Sequence, residues 1–308
     1  MAITIHYISH ELIDKKRWNA GIDNAANGLI YANSSYLDMM DPQWDALISS
    51  DYRYLMPVHW RQKWGITYLY QPFGIAQGGL FHPGNISPAI EAEFLNSLIS
   101  RFRYGHIDLN EGQTIQQLPG ATITMRTNFV LPLQQSYASL YAAFSKDAKK
   151  NLRRAAENVQ LPAKDVSVTT VVKMYQERYG KLNSGSPEDY ERFQQLMENY
   201  QASGKAFCTG ITDANGELLA AAIIGKDHRR LYYLLGAPTE KGKTYKSVHL
   251  LINNLIEQFS GSDYSFDFEG SDIPNVADFY RKFAPEARRY PHVYFNRLPL
   301  LLRWLKKY

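Results

Sequence analysis

The chain has 308 residues, a formal net charge of +4, 45% hydrophobic residues and 21% charged residues. That length suits two ordinary domains, each with its own core, and the composition is globular rather than disordered. The mild positive balance does not indicate nucleic acid by itself, and the single Cys208 excludes an internal disulfide or a cysteine-rich zinc site.

In chain order, Ile3 to Ile8 alternates like a strand and Asp14 to Ala20 reads as a helix carrying Trp18. Trp44 to Ile48, Tyr52 to Trp60 and Thr67 to Tyr70 read as consecutive strands, with a hairpin turn near Lys63 to Gly65. An irregular glycine-bearing loop follows through Gln77-Gly78-Gly79. Ser87 then caps a helix entered through Pro88, whose apolar face includes Phe94, Leu95, Leu98 and Ile99. His106 to Leu109 and Ala121 to Leu133 are further strands. Pro132 and the polar Gln134-Gln135-Ser136 place a domain boundary between residues 133 and 134, giving domains 1–133 and 134–308.

The second half opens with a helix from Tyr137 to Phe144 and then the most basic stretch of the chain. Lys146, Lys149, Lys150, Arg153 and Arg154 recur at helical spacing along one side. Such a stripe is either a solvated face or a seat for phosphates. No aromatic residue interleaves it, which disfavours a single-strand nucleic-acid platform. The β-branched run Val166 to Val172 reads as a strand, Met174 to Gly180 and Pro187 to Ala202 as helices, and Lys181 to Ser186 as a polar loop over a pocket. Phe207 to Asp213 and Leu218 to Gly225 form a hairpin through Asn215-Gly216.

A β-α-β crossover follows. Leu231 to Leu235 is a strand that Gly236-Ala237-Pro238 ends, a helix runs from Thr244 to Phe259, and Tyr264 to Phe268 is a second strand. Free amides where loop meets helix, with Lys241, Gly242 and Lys243 beside them, suit an anion; an ordinary solvated connection is the plainer account. On the strand after the helix, Asp267 and Glu269 share one face, opposite Phe266 and Phe268. Two carboxylates at a strand end beside apolar rings are candidate bases; alternatively Asp267 bonds neighbouring backbone and Glu269 pairs with Arg281. Tyr280 and Tyr233 are candidate proton donors or ligand contacts among 22 tyrosines. His249 is expected to be a satisfied or exposed helical residue, and Cys208 a small buried strand residue.

The order of these pieces carries a resemblance. The strand ending in Gly236-Ala237, the lysine loop, the LLxxxIE helix and YSFDFEGS resemble the C-terminal half of the Fem-type peptidoglycan aminoacyltransferases, members of the wider GNAT (acyl-CoA N-acyltransferase) superfamily. AKKNLRRAAENV, from Ala148 to Val159, is similar to the helix opening that half, and DFYRKF, from Asp278 to Phe283, to the segment following its acidic strand. The resemblance covers roughly residues 136–296, and an element order shared by Asp51 to Asn110 and Asn215 to Gly270 suggests an internal duplication, with Asp108 matching Asp267.

What the resemblance implies is an α/β fold of mixed sheets with two GNAT-like halves in tandem, acting as an N-acyltransferase. The acceptor would be an amine, including a bacterial cell-wall precursor. Its catalytic set would be Asp267, Glu269 and Tyr280, and its ligand contacts Lys150, Arg153, Arg154, Tyr233, Lys241, Gly242, Lys243 and Arg281. No tightly bound cofactor or metal is expected, and the acyl donor would be aminoacyl-tRNA or acyl-CoA. Partners are then an anionic or nucleotide-linked substrate and a tRNA acceptor end. The loop from Thr239 to Thr244 keeps only the middle glycine of the coenzyme A pattern, which agrees better with an aminoacyl-tRNA donor. Glu269 stands where Fem enzymes commonly carry a small residue. Two alternatives remain open: a coenzyme A-dependent acetyltransferase of a sugar or small amine, and a non-catalytic binding protein.

Met1 to His10 lacks the basic start and apolar core of an export signal, and no run approaches a membrane span, so a cytoplasmic protein is expected. Leu300, Leu301, Trp304 and Leu305 would form one helical face beside Arg303, Lys306 and Lys307. That face reads as a docking helix with snorkelled cations or as a weak peripheral contact with an anionic membrane.

Overall fold

The computed structural model describes residues 3–84, 86–158, 160–163, 165–181, 185–270 and 272–299. The C-terminal helix expected from Leu300 onward, and the middle of the expected loop from Lys181 to Ser186, lie outside these residues. Two compact units divide the chain, one of Met1–Arg126 with Arg289–Tyr308 and the other of Thr127–Arg288. This division falls earlier than the 133/134 break read from the sequence, and it assigns the last strand to the first unit. Among the described residues no helix is long and apolar enough to cross a membrane.

In the first unit, β1 (Ile5–Ile8), α1 (Lys15–Asn24), α2 (Ser34–Met40), β2 (Asp45–Ser49) and β3 (Leu55–Val58) come first. β1, β2 and β3 make a three-stranded antiparallel sheet. Trp18 of α1 and Trp44, with ring centroids 4.8 Å apart, are fully buried beside it. β4 (Trp60–Lys63) and β5 (Ile66–Leu69) form a hairpin; α3 (Pro88–Ser100) then crosses over to β6 (Tyr104–Asp108), which runs parallel to β5. Phe94, Leu95, Leu98 and Ile99 of α3 pack on Leu69, Ile107 and Leu109, the arrangement that their helical spacing requires.

The second unit begins within β7 (Thr122–Pro132). There follow α4 (Tyr137–Ala143), α5 (Lys146–Ala156), β8 (Gln160–Pro162), α6 (Val168–Tyr179), α7 (Pro187–Ala202), β9 (Ala206–Asp213), β10 (Leu218–Lys226) and β11 (Arg230–Pro238). The short α8 (Glu240–Thr244), α9 (Ser247–Phe259), β12 (Ser265–Asp267) and α10 (Pro274–Arg281) complete it. Its strands lie in the order β7-β12-β11-β10-β9-β8, with β11 and β12 parallel and the rest antiparallel. Leu251, Ile252, Leu255 and Ile256 of α9 fill one face against Leu219, Ile224, Leu231 and Phe266. β13 (Glu286–Asn296) then returns to the first unit, where His292 to Asn296 pair antiparallel with β6.

Several local expectations change. Val166 to Val172 is not a strand: Ser167 caps α6 by accepting from the Thr170 amide at 3.1 Å, and Val168, Val171 and Val172 bury one helical face. Packing and the cap outweigh β-branched propensity. β11 does not stop at Gly236, since its pairing with β10 continues to Pro238. β12 no longer runs alongside there, so the missing proline donor removes no bond on that side. The helix expected from Thr244 begins at Ser247, and a short helix stands before it where a loop was expected, the two separated where Lys246 takes a left-handed conformation, φ 60°. Thr239 caps the first of them, accepting from the Gly242 amide at 3.0 Å.

Candidate active site

The site is built where β11 outruns β12. Arg230, Leu231 and Tyr232 pair with Ser265, Phe266 and Asp267, and among the described residues no strand takes over from β12 on that side of β11 from Tyr233 to Pro238, while β10 continues on the other. Opposite β10 the register jumps between Ile223, facing Leu235, and Ile224, facing Tyr233, leaving Leu234 as an extra residue. A bulge of this kind twists the strand and re-aims its side chains. The result is a fork: one strand edge with main-chain donors and acceptors available to a ligand.

Side chains line the fork. Tyr233 is buried, and a Cβ placed on Gly236 would stand 1.9 Å from its hydroxyl, so its ring lies along β11 toward Gly236. Tyr280 of α10 is half-buried, its ring 5.0 Å from that of Phe268 and 6.4 Å from that of Phe129. Burial raises the hydroxyl pKa of both tyrosines above the ordinary value; their neighbours Tyr175 and Tyr179 of α6 push the same way, as do Glu269 and Asp267 for Tyr280. The sequence reading missed Tyr175 and Tyr179. Their spacing of four residues, in YQERY, is the signal for two rings on one helical face; the centroids lie 5.3 Å apart.

The two carboxylates differ. Asp267 is 2% exposed and is enclosed by donors: Arg230 Nη1 at 2.7 Å, Asn128 Nδ2 at 3.1 Å and the Glu269 amide at 2.8 Å. Its place is that of a structural anchor. Glu269 follows in a left-handed conformation, φ 67°, that a non-glycine residue adopts at a cost. Gly270 is also left-handed there and passes so close to the Thr127 carbonyl that a Cβ would stand 2.7 Å from it. Asp267 thereby fixes the turn that presents Glu269 near Tyr280.

An open groove of about 640 Å³ lies in the same unit, lined by Arg154, Glu157 and Asn158 at the end of α5 and by Glu240, Lys243, Thr244, Tyr245 and Lys246. It reaches the start of α9, where Lys246 offers no side-chain cap and the first turn holds no acid. The positive end of the helix therefore faces a partly cationic wall. Gln160 holds this corner, donating to the carbonyls of Ala155 (2.8 Å) and Tyr245 (3.0 Å) and accepting from the Ser247 hydroxyl at 2.6 Å.

The expected ligand residues fall into separate places. Arg154 and Lys243 line the groove; Lys150 and Arg153 lie exposed on α5 without lining it. Lys241 is held by Asp213 at 2.6 Å and Glu217 at 2.5 Å, and these two carboxylates raise its pKa. Gly242 is buried against the Leu219 carbonyl, 1.8 Å from where a Cβ would stand, so its role is close packing. Arg281 pairs with Asp278 at 2.6 Å and lies over the Phe129 ring. His249 is buried, 3.1 Å from Asn151 Nδ2 and edge-on to Phe279, and burial together with Lys282 and Lys246 lowers its pKa to about 4. Cys208 is half-buried in β9, with its thiol pushed up to about 11 by burial. Among the described residues no cluster of three or more His, Cys, Asp or Glu is placed to hold a metal ion.

No protein-family profile and no curated protein sequence matches the chain. Solved structures do. FemX superposes with a TM-score of 0.65 at 11% identity, over the full length of both chains. A conserved protein of unknown function from Bacteroides thetaiotaomicron gives 0.58 at 10% identity, covering 91% of this chain and 96% of its own. L-PGS from Bacillus licheniformis gives 0.55 at 13% identity, covering 95% of each. At such identities the likeness concerns architecture alone, and the chain shares its mixed α/β fold with FemX and L-PGS.

Proposed function

We propose that the protein is an N-acyltransferase that moves an acyl or aminoacyl group from an anionic carrier to an amine at the β11/β12 fork. The observation that carries this reading is the edge of β11 left by β12 from Tyr233 to Pro238, lying in the same unit as a groove lined by Arg154, Lys243 and Lys246 with Glu157 and Glu240. Strand-edge amides orient an acyl carbonyl, and an uncapped helix start beside cations suits a carrier phosphate.

In this scheme Glu269 takes the proton from the acceptor ammonium and the freed amine attacks the acyl carbon. The bond from that carbon to the carrier then breaks, and Tyr280 supplies the proton to the departing oxygen. A phenol whose pKa is raised stays protonated and is a weak acid. It matches a basic alkoxide better than a thiolate, which favours an ester donor over a thioester. α5 supports the same choice: Lys146, Lys150, Arg153 and Arg154 are exposed along a helix of roughly 16 Å, longer than a diphosphate needs. Aminoacyl-tRNA, offered by its acceptor end, is therefore the proposed donor, with coenzyme A esters as the competing one.

Single-turnover transfer from aminoacyl-tRNA and from acetyl-CoA to a panel of amines tests this. Transfer from the RNA ester is expected, falling about 100-fold or more in Glu269→Gln. Its affinity should weaken steeply with salt and on Arg154→Glu. Transfer from acetyl-CoA alone would overturn the donor, and tight carrier binding without transfer to any amine would make the protein a binding module.

A further inference from the structure

Four tryptophans lie among the described residues, all in the first unit, and three of them have settled partners. Trp18 donates its indole N–H to the Ala32 carbonyl at 2.7 Å, Trp44 to Asp38 at 2.9 Å and Trp60 to Asp45 at 2.8 Å. Trp64 differs. It is 81% exposed, the most exposed large apolar side chain among the described residues, and its N–H meets no acceptor among them. It stands at the tip of the β4–β5 hairpin with φ 51°, followed by Gly65 at φ 72°. Two successive positive φ angles make the tight turn that Asn-Gly suits best, and a bulky ring takes the first place at a cost in strain. Its ring meets only the neighbouring Lys63, whose Nζ lies 4.9 Å from the centroid. An exposed ring held under strain adds little to the fold, and its use is sought outside the chain.

Register gathers cations at the same tip. β6 runs parallel to β5, so the residues leading into β6 share the end of the sheet at which the turn lies. β13 finishes there too, and the Arg297 amide donates to the Arg103 carbonyl at 2.6 Å. Lys63, Arg101, Arg103 and Arg297 are all exposed, and none pairs with a carboxylate among the described residues. Arg101 lies over the Tyr7 ring, 4.4 Å from its centroid, and Arg297 donates to the Phe102 carbonyl at 3.0 Å. These contacts hold the two guanidinium groups without neutralising them. No acid occurs in residues 59–70, 100–107 or 293–308.

We propose that this end of the first unit docks on an anionic lipid bilayer, with Trp64 entering the headgroup region and the four cations facing lipid phosphates. An indole suits that depth because its ring is apolar and its N–H can donate to a headgroup oxygen. RNA would use the cations but not the projecting ring. A base-stacking platform would need parallel faces, and the nearby rings of Tyr68 and Tyr104 are inclined at 53°. Docking needs neither donor nor turnover, and so stands apart from the transferase reading.

Co-sedimentation of the full chain with sucrose-loaded vesicles tests this, using phosphatidylcholine alone or with about one third phosphatidylglycerol. Binding to the anionic vesicles is expected to be about tenfold or more the tighter, and to weaken with salt. Trp64→Asn should lose about tenfold while melting no lower than the parent, because asparagine suits the turn. Trp64→Phe should stay within about threefold. Lys63→Gln and Arg103→Gln should each lose about fivefold, whereas Lys150→Gln with Arg153→Gln on α5 should bind as the parent does. No binding to anionic vesicles, or a Trp64→Asn protein that binds as the parent does, would overturn the proposal. An α5 variant that loses as much as the hairpin variants would do so too, by showing diffuse attraction. So would a protein that ignores vesicles and binds tRNA through Lys63 and Arg103 without need of Trp64.

Discussion

Both units contain the same excursion, and the helix starts within it differ. In the first, β4 and β5 pair antiparallel and α3 leads to β6, parallel to β5; in the second, β10, β11, α9 and β12 do the same. Each closing strand ends in a buried aspartate held by an arginine, Asp108 by Arg126 and Asp267 by Arg230, both at 2.7 Å. The helix starts differ. α3 is entered through Pro88 with Ser87 as its cap, and the buried Glu91 of its first turn accepts from the amides of Thr114 and Ile115 at 3.0 and 3.1 Å. Its positive end is satisfied within the chain. α9 has no side-chain cap and no first-turn acid, and the groove at its start is lined by Arg154, Lys243 and Lys246 together with Glu157 and Glu240. The same topology with different helix starts means that the crossover supplies a frame, and that a few residues at the helix start set its local charge.

The matched arginines give the largest expected effect. Arg230→Leu removes the only cation bonded to Asp267 among the described residues, leaving a carboxylate 3% exposed at its side chain with the Asn128 and Glu269 donors alone, and should cost about 3–5 kcal/mol in urea unfolding. Arg126→Leu should cost roughly half as much, because Arg126 is the more exposed partner, 27% against 13%, and its ion pair is the better hydrated. Equal costs would show that the two ends are equivalent. A stable Arg230→Leu protein would mean that Asp267 is free to act as a base.

Gly242→Ala comes next. Its Cβ would meet the Leu219 carbonyl, a backbone atom that cannot turn away, and the expected loss is about 2–3 kcal/mol with weakened carrier binding. Gly65, at the β4–β5 turn, has nothing within 4 Å of an added Cβ. Any cost of Gly65→Ala there is the strain of its φ of 72° rather than a clash, which melting of both variants should separate.

Much of this contrast was legible in the sequence. Ser87-Pro88 announces the capped start of α3, and Leu251, Ile252, Leu255 and Ile256 announce the buried stripe of α9. The break at Lys246 was not, because lysine carries no signal for a left-handed conformation and the apolar period runs across it. β13 gave a weak signal, since Glu286 to Tyr290 are polar or half-exposed and only Val293 and Phe295 reach the core of the first unit. At the site, the expectation for Asp267 and Glu269 came from alternation along one strand, and that for Tyr280 from the segment after it. Arg230 and Asn128, the partners that tie up Asp267, come from distant segments that register alone brings together.

Acid should reveal a term of smaller size that both units share. His249 has its pKa lowered to about 4 by burial, Lys282 and Lys246, and His106 to about 4 by burial, His292 and Arg126. A histidine depressed in the folded state binds its proton first when unfolded. The stability it contributes is present above the unfolded pKa near 6.5 and is lost as pH falls from there toward 4. Between pH 7 and 4.5, His249→Phe should remove on the order of 2 kcal/mol of the parent's decline in urea unfolding. An unchanged decline would mean that the imidazole reaches solvent.

The smallest effects bear directly on the two helix starts, and they should differ in sign. Ser87→Ala removes the hydroxyl that accepts from the Ile90 amide at 3.3 Å and should destabilise by about 1 kcal/mol. Lys246→Gly removes no cap, because none exists, and frees the chain from holding a side chain at φ 60°; it should stabilise by about 0.5–1 kcal/mol. The same change deletes a cation from the groove wall, so carrier binding should weaken while melting rises. A corner that loses ligand affinity as it gains stability is one whose strained lysine is kept for binding. If Lys246→Gly instead leaves affinity untouched, the groove is a solvated surface, and the two crossovers differ in charge without differing in use.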